Sequence, residues 1–420
     1  MISRRDTITF SPEALAFAIG LIALNWIPLM GSKAALIYLA AMAALVFWQP
    51  QRILDEGYAT AAIWVMIGWC LLSFLWSNYP SQTIRHGLQL ALTASMAVAA
   101  GLRLSTTTVL RVLLVTGLIL AVCQFGIGRI SGSGAWLGLY NSKNQLAQFA
   151  MIPMLVGLAI TLDRRGRRYL LPGVVALVAG TFLLIVADSV GAILAAMGAC
   201  TAMVAIKFLN RLGPWQRLLV AGSSVLLIAL IAIAVSGFFD ELSQLMVRLT
   251  GKDLTLTGRT TLWQSAFDEI AKHPLLGEGF RGVWVVGNPL AERLWAEFGI
   301  ADKVGFHFHN TFISNTVEIG LIGGAMQLGL FLYTLYFLVL WAIRSPSFES
   351  LFWAGYMVRE VILVNSEVMF FAEFAADTVL MFMAIVVARR YQLSLRAPAP
   401  RSGVARTIAG PARFSDRFAR

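Results

Sequence analysis

The stretch VGFHFHNTFISNTVEIGLIGG, beginning at Val304, holds two of the chain's four histidines, His307 and His309, where a polar loop runs into a long apolar segment. A neutral imidazole, with an ordinary pKa near ~6.5, can take a proton from a hydroxyl at neutral pH. Behind His309, Thr311, Ser314, Asn315 and Glu318 recur at helical spacing and share one face. A polar stripe ending in a carboxylate is costly against lipid, so it is expected to face the protein interior or a wet cavity. The free N–H groups and dipole of a helix start also favour anions. Together these residues predict the upper wall of an outward-facing polar cavity with an anion-binding rim. The plainer alternative is a pair of interfacial histidines making ordinary hydrogen bonds, and His307 is left with that role. No Cys, Asp or Glu stands nearby at ligand spacing, so no metal is expected there. The glycines of GLIGG (Gly320, Gly323 and Gly324) are expected to serve close helix packing.

Two arginines precede this stretch. Arg259 lies in LTGRTTLW and Arg281 in GEGFRG. A guanidinium is the natural partner of phosphate or pyrophosphate through two parallel hydrogen bonds, although a lone loop arginine is more often simply solvated. Gly277, Gly279 and Gly282 around Arg281 imply a tight backbone path. No G-x-x-x-x-G-K-[ST] is present, so nucleotide-driven work is not supported. Further polar groups open or close apolar runs: Arg85 after WSNYPSQTI, Lys143 and Asn144 in YNSKNQLA, and Asp188 and Ser189 in ADSVG. Arg359, Glu360 and Glu367 are read as lying inside the eleventh span, with Glu373 and Asp377 just beyond it.

The elements that must position these groups follow from composition. Of 420 residues, 58% are hydrophobic and only 13% charged, about half the charge of a soluble domain. The chain is therefore predicted to be an all-α polytopic membrane protein of about twelve transmembrane helices with one large outer-side loop before the tenth. The predicted spans are 12–31, 33–48, 58–76, 84–101, 108–127, 143–162, 170–187, 190–209, 217–236, 310–342, 350–368 and 371–388. Loops holding Arg52, Arg103, the DRRGRRY cluster and Arg344 are much more basic than the opposite ones, which places both termini in the cytoplasm. The domain division is then helices one to nine over 1–236, a large loop on the outer side (periplasmic on the resemblance given below) over 237–308, helices ten to twelve over 309–390, and a basic, disordered tail over 391–420. Within the loop, Leu262, Ala266 and Ile270 predict an amphipathic helix lying over the membrane surface. The net charge of +11 sits in short loops and the tail, a topology signal that does not call for nucleic acid. Cys70, Cys123 and Cys200 have neither disulfide nor zinc spacing.

GRTTLWQSAFDEIAKHPLLGEGF followed by HNTFISNTVEIGLIGG resembles the C-terminal signature of the O-antigen ligase and polysaccharide polymerase superfamily. WSNYP and YNSKNQLA are similar to further marks of that family, most of all its exopolysaccharide polymerase branch. The resemblance implies a GT-C-like architecture in the bacterial inner membrane and glycosyl transfer on its periplasmic face. It implies a polyprenyl-pyrophosphate-linked oligosaccharide donor, a glycan or lipid acceptor, surrounding membrane lipid, and export or chain-length proteins as partners. It implies no cofactor, no nucleotide sugar and no metal. Arg259 matches the family's loop arginine and would stabilise the leaving pyrophosphate. His309 matches the family's histidine and would serve as general base or orienter. Arg281, Arg85, Lys143, Asn144 and Glu318 are the expected substrate-binding residues. Many members carry Ser-Arg in the turn before the eighth span; here Val190 stands in the arginine's place beside Asp188, so Arg281, Lys143 or Arg85 is expected to substitute.

Five functions stay open at this stage: a polymerase, a ligase joining glycan to lipid A core, a protein-directed oligosaccharyltransferase, a transporter or flippase of lipid-linked glycan, and a structural subunit of an envelope synthesis complex. The bias of polar residues to the outer half disfavours the transporter, which needs polar groups on both sides of the bilayer.

Overall fold

The computed structural model describes residues 11–47, 60–132, 134–209, 211–213, 215–216, 257–303 and 306–396. The predicted ninth span, the first part of the predicted loop and the tail beyond residue 396 lie outside them. The described residues form helices α1 (Pro12–Met30), α2 (Ser32–Phe47), α3 (Ala61–Leu72), α4 (Pro80–Arg103), α5 (Thr106–Ile127), α6 (Lys143–Leu162), α7 (Leu170–Val186) and α8 (Val190–Leu209). They continue with α9 (Thr257–Lys272), α10 (Pro289–Glu297), α11 (Thr311–Arg344), α12 (Phe348–Leu363) and α13 (Ala376–Arg396). A helix thus stands at eleven of the twelve predicted ranges, and among the described residues seven helices are long and apolar enough to cross a membrane.

Local sequence sets the helix starts. Ser11, Ser105, Ser142 and Ser347 each accept a backbone N–H of the first turn, and Pro12 and Pro80 occupy first-turn positions where no N–H is needed. The helices pack into one large core while apolar stripes remain on the outside. On α7, Leu171, Val175, Val178, Phe182 and Ile185 are all exposed at helical spacing. An uncovered stripe of that size is what a helix presents to lipid. Inside the bundle, Arg359 of α12 is fully buried, pairing with Glu360, with Asp377 at 3.2 Å and with the Gln148 carbonyl at 3.1 Å. It ties α12 to α6 and α13, as intramembrane charges must be paired.

Residues 257–303 and 306–308 build a cap with its own apolar core. Leu262 and Ala266 of α9, Leu290 and Leu294 of α10, Val283 and Phe308 pack on Val317 of α11. The predicted amphipathic helix therefore lays its apolar face on the start of α11, with Ile270 partly buried beside it. The predicted packing role of Gly320 is corrected: the residue breaks α11, with φ 68° and ψ 179°. Loop residues enter the gap and take over the backbone groups it frees. Glu278 N–H donates to the Val317 carbonyl (3.0 Å), Gly279 N–H to Glu318 (2.8 Å) and Leu321 N–H to Pro274 (2.8 Å). The Trp69 indole covers the Ile319 carbonyl at 3.0 Å. Backbone groups buried at membrane depth must be satisfied in this way.

Substitution at the break is expected to be severe. A β-carbon on Gly320 would lie 2.1 Å from the Leu275 carbonyl oxygen and adopt a disfavoured backbone region. Gly320→Ala should cost about 2–5 kcal/mol and lower the amount of folded protein in membranes. Gly329→Ala in the same helix meets nothing within 4 Å and should accumulate as wild type. Equal accumulation of both variants, measured by fluorescence-detected size exclusion, would refute the role of the break.

Candidate functional site

The cap core and the loop between α12 and α13 bring four residues together in front of α11. His309 adopts φ 52°, and its N–H donates to the His307 Nδ1 at 3.1 Å, so the two rings lie 4.2 Å apart. Trp263, on the next turn of α9 after Arg259, donates its indole N–H to the Phe308 carbonyl at 2.8 Å. That bond anchors the helix bearing Arg259 to the backbone between the histidines. The third contributor corrects the sequence reading. The eleventh span was predicted to reach 368, but α12 ends at Leu363, which releases Glu367 into the loop. There the Glu367 carboxylate and the two imidazoles place one donor atom each within 4.8 Å of one another.

These groups perturb one another. Burial pushes His307 down to about 3, with His309, Arg259 and Arg281 adding to the shift. His309 is also lowered, first by burial and then by the Arg259 charge, against an opposing hydrogen bond with the Ser366 backbone. Burial pushes Glu367 up to about 7 although Arg259 and a 2.7 Å bond from the Asn144 amide oppose it. The His309 Nδ1 is buried and has no hydrogen-bond partner among the described residues. At neutral pH this is an uncharged base with a free nitrogen, beside a carboxyl group poised to titrate and within the field of a guanidinium.

The remaining predicted residues fall into place around this centre. Asn144 bridges Glu367 and the Ser189 hydroxyl, the latter at 3.0 Å. Lys143 binds the Asp188 carbonyl at 2.8 Å and its carboxylate at 3.4 Å, which sets a cation against the turn where Val190 stands. Thr311, Ser314, Asn315 and Glu318 are all buried, as their stripe predicts. The anion-binding helix start is largely spent: Thr311 N–H donates to the Val364 carbonyl and Ile313 N–H to the Asn310 side chain. Arg281 is not free either. Its guanidinium binds the Glu373 carboxylate at 3.0 and 3.1 Å, and its N–H binds Glu318 at 3.0 Å. Arg85 is exposed, and its neighbour His86 is the residue that turns inward to Glu373, at 2.9 Å. Burial would raise Glu373, but Arg281 and His86 hold it down at about 2.

Sequence reasoning missed Glu367, His86 and the inclusion of His307. Asn365 and Ser366 are helix-ending residue types, and reading them as a stop would have freed Glu367. No local signal pairs His86 with Glu373, since the partners lie 287 residues apart. Among the described residues two His/Glu groups have metal-ligand spacing, His307–His309–Glu367 here and Glu269–His273–Glu278 on the cap. The expectation of no nearby carboxylate ligand is thereby corrected, because Glu367 arrives through the fold. In the first group the Arg259 charge opposes a cation.

The O-antigen ligase family profile matches residues 175–328, a range that begins in α7 and ends in α11 beyond its break at Gly320. The chain is 31% identical over 318 residues to the exopolysaccharide production protein ExoQ of Rhizobium meliloti (strain 1021), across 73% of this chain and 72% of that protein. The chain belongs to the O-antigen ligase family. Its membership identifies a glycosyltransferase-type enzyme of the membrane acting on lipid-linked glycan.

The two perturbed groups predict the pH response of that enzyme. Glu367 is ionised above about 7 and takes up a proton as the pH falls through that value. If its carboxylate steadies the imidazolium formed at His309, turnover should fall on the acid side of about pH 7. Glu367→Gln should lose activity about tenfold or more and lose that limb. An unchanged profile in the variant would exclude Glu367 from the reaction.

Proposed function

We propose that this chain is a polysaccharide polymerase of the periplasmic face, which extends a glycan from a polyprenyl-pyrophosphate-linked donor. The observation that carries the reading is the convergence of Arg259, His309 and Glu367 on one side of the bundle. In the proposed step an acceptor hydroxyl oxygen attacks the anomeric carbon of the donor sugar. The bond from that carbon to the phosphate oxygen breaks, and polyprenyl pyrophosphate leaves with the electron pair. His309 takes the hydroxyl proton on its imidazole, and Glu367 stabilises the resulting charge. Arg259 offsets the negative charge growing on the leaving group, where a preorganised cation contributes most. Lys143, held at the 188–190 turn, is the second phosphate contact in this reading; Arg281, bound by Glu373, positions the α11 break. The twelve-span topology, cytoplasmic termini and inner-membrane location belong to the same proposal, as does independence from a metal.

The relative named for exopolysaccharide production supports polymerase over ligase, while the family description supports the ligase as the second reading. A deletion strain separates them. Loss of high-mass secreted polysaccharide with an intact lipopolysaccharide ladder selects the polymerase, whereas a missing ladder selects the ligase. Complementation with Arg259→Ala or His309→Ala should reduce product at least about a hundredfold at normal membrane abundance. Normal polymer from both variants would sink the assignment.

A further inference from the structure

A cavity of about 370 Å³ lies behind the loop that carries Glu367. Its walls come from α1, α5, the start of α6, the start of α13 and residues 368–369 and 372–375 of that loop. The volume falls in the ~300–1,000 Å³ range of small-molecule sites. Six residues decide its chemistry: Asn25, Tyr140, Gln145, Gln148, Glu373 and Asp377. Three are amides and two are carboxylates already paired with arginine, Glu373 with Arg281 and Asp377 with Arg359. Asn25 donates to the Leu21 carbonyl and accepts from the Tyr140 hydroxyl, so the amides that face a ligand are those of Gln145 and Gln148. Among the described residues no Lys, Arg or His lines it.

That inventory selects a ligand class. A phosphate or sugar acid would enter without a single cation on the wall, which the cost of burying unpaired charge forbids. An isoprenoid chain would cover the Gln145 and Gln148 amides and return no hydrogen bond. A neutral sugar presents hydroxyls that both donate and accept, which amides and arginine-held carboxylates satisfy together. It also has apolar ring faces. The Tyr140 and Phe149 rings, both on the wall with centroids 6.0 Å apart, supply an aromatic surface for one of them, and apolar side chains of α1 and α5 line the remainder. Val368, the residue after Glu367, is part of its wall, so the cavity and the proposed reaction centre share one loop.

We infer that this cavity is a subsite for an uncharged pyranose unit of the glycan substrate. The inference rests on the proposed glycosyl transfer only for the origin of that sugar; its binding chemistry is independent. The test uses the full chain in lipid nanodiscs and saturation-transfer NMR. The probes are methyl β-D-glucopyranoside, methyl β-D-galactopyranoside, methyl β-D-glucuronide and farnesyl phosphate. At least one neutral glycoside should receive saturation, and the glucuronide should not. Gln148→Leu should weaken the neutral glycoside about fivefold with an unchanged melting temperature. Gln145→Leu on the same wall guards against a folding defect in the first variant and should act alike. No signal from either neutral glycoside would overturn the subsite, as would equal binding of the glucuronide, a stronger farnesyl phosphate signal, or indifference to both substitutions. His309→Ala should bind the glycoside normally. If that variant binds sugar and still makes polymer in cells, the proposed function falls while the subsite stands.

Discussion

The break in α11 is the constraint on which the rest of the site depends. An unbroken helix through Gly320 would close its own hydrogen-bond ladder and offer nothing to the loop. With φ at 68° the helix surrenders backbone groups, and residues 274–279 fill the gap with four backbone hydrogen bonds of 2.8 to 3.4 Å. The cap is thereby fixed to the membrane bundle by its backbone, beyond the apolar contacts of its small core. Arg259 rides on a helix of that cap, so its distance from His309 follows from the same anchorage. Gly277 occupies the other side of the junction, where a β-carbon would lie 2.5 Å from the Gly320 nitrogen. Both glycines are required by close approach, and they act as one unit.

Charge is distributed in two sets with different purposes. Arg281, Glu373, His86 and Glu318 form a connected group across the cap, α4, α11 and the loop before α13. Its guanidinium is occupied by a carboxylate, which suits a brace better than a ligand contact. Arg259, His307, His309 and Glu367 form the second set, where burial lowers the histidines and raises the carboxyl group. Such opposed shifts hold an uncharged base and a titrating acid side by side near neutral pH, which is what proton transfer from a hydroxyl requires. The Arg359 network deeper in the bundle keeps α6, α12 and α13 together beneath both sets.

Much of the fold was legible because lipid imposes long apolar runs and ends them at capping residues. The predicted sixth and eighth spans coincide with α6 and α8 for that reason, with Ser142 capping the first. The polar face of α11 was equally legible, since Thr311, Ser314, Asn315 and Glu318 obey a single period. Gly320 was misread because a glycine in GLIGG carries the same letters whether it packs or breaks; only the docking segment decides. Glu367 was misread because the apolar residues Val364 and Val368 flank it and extend the apparent span past the true helix end. Contacts such as His86 with Glu373 depend on tertiary assembly and leave no trace in spacing.

The central claim, that the Arg259–His309–Glu367 centre joins glycan units with loss of a lipid pyrophosphate, is tested most directly in a purified system. The chain would be reconstituted in nanodiscs with a polyprenyl-pyrophosphate-linked oligosaccharide as the sole substrate, and its products separated by size and mass. The account predicts glycans of two or more repeats, with one polyprenyl pyrophosphate released for each bond formed. An intact donor after exposure to folded protein, or equal product from His309→Ala, would contradict it.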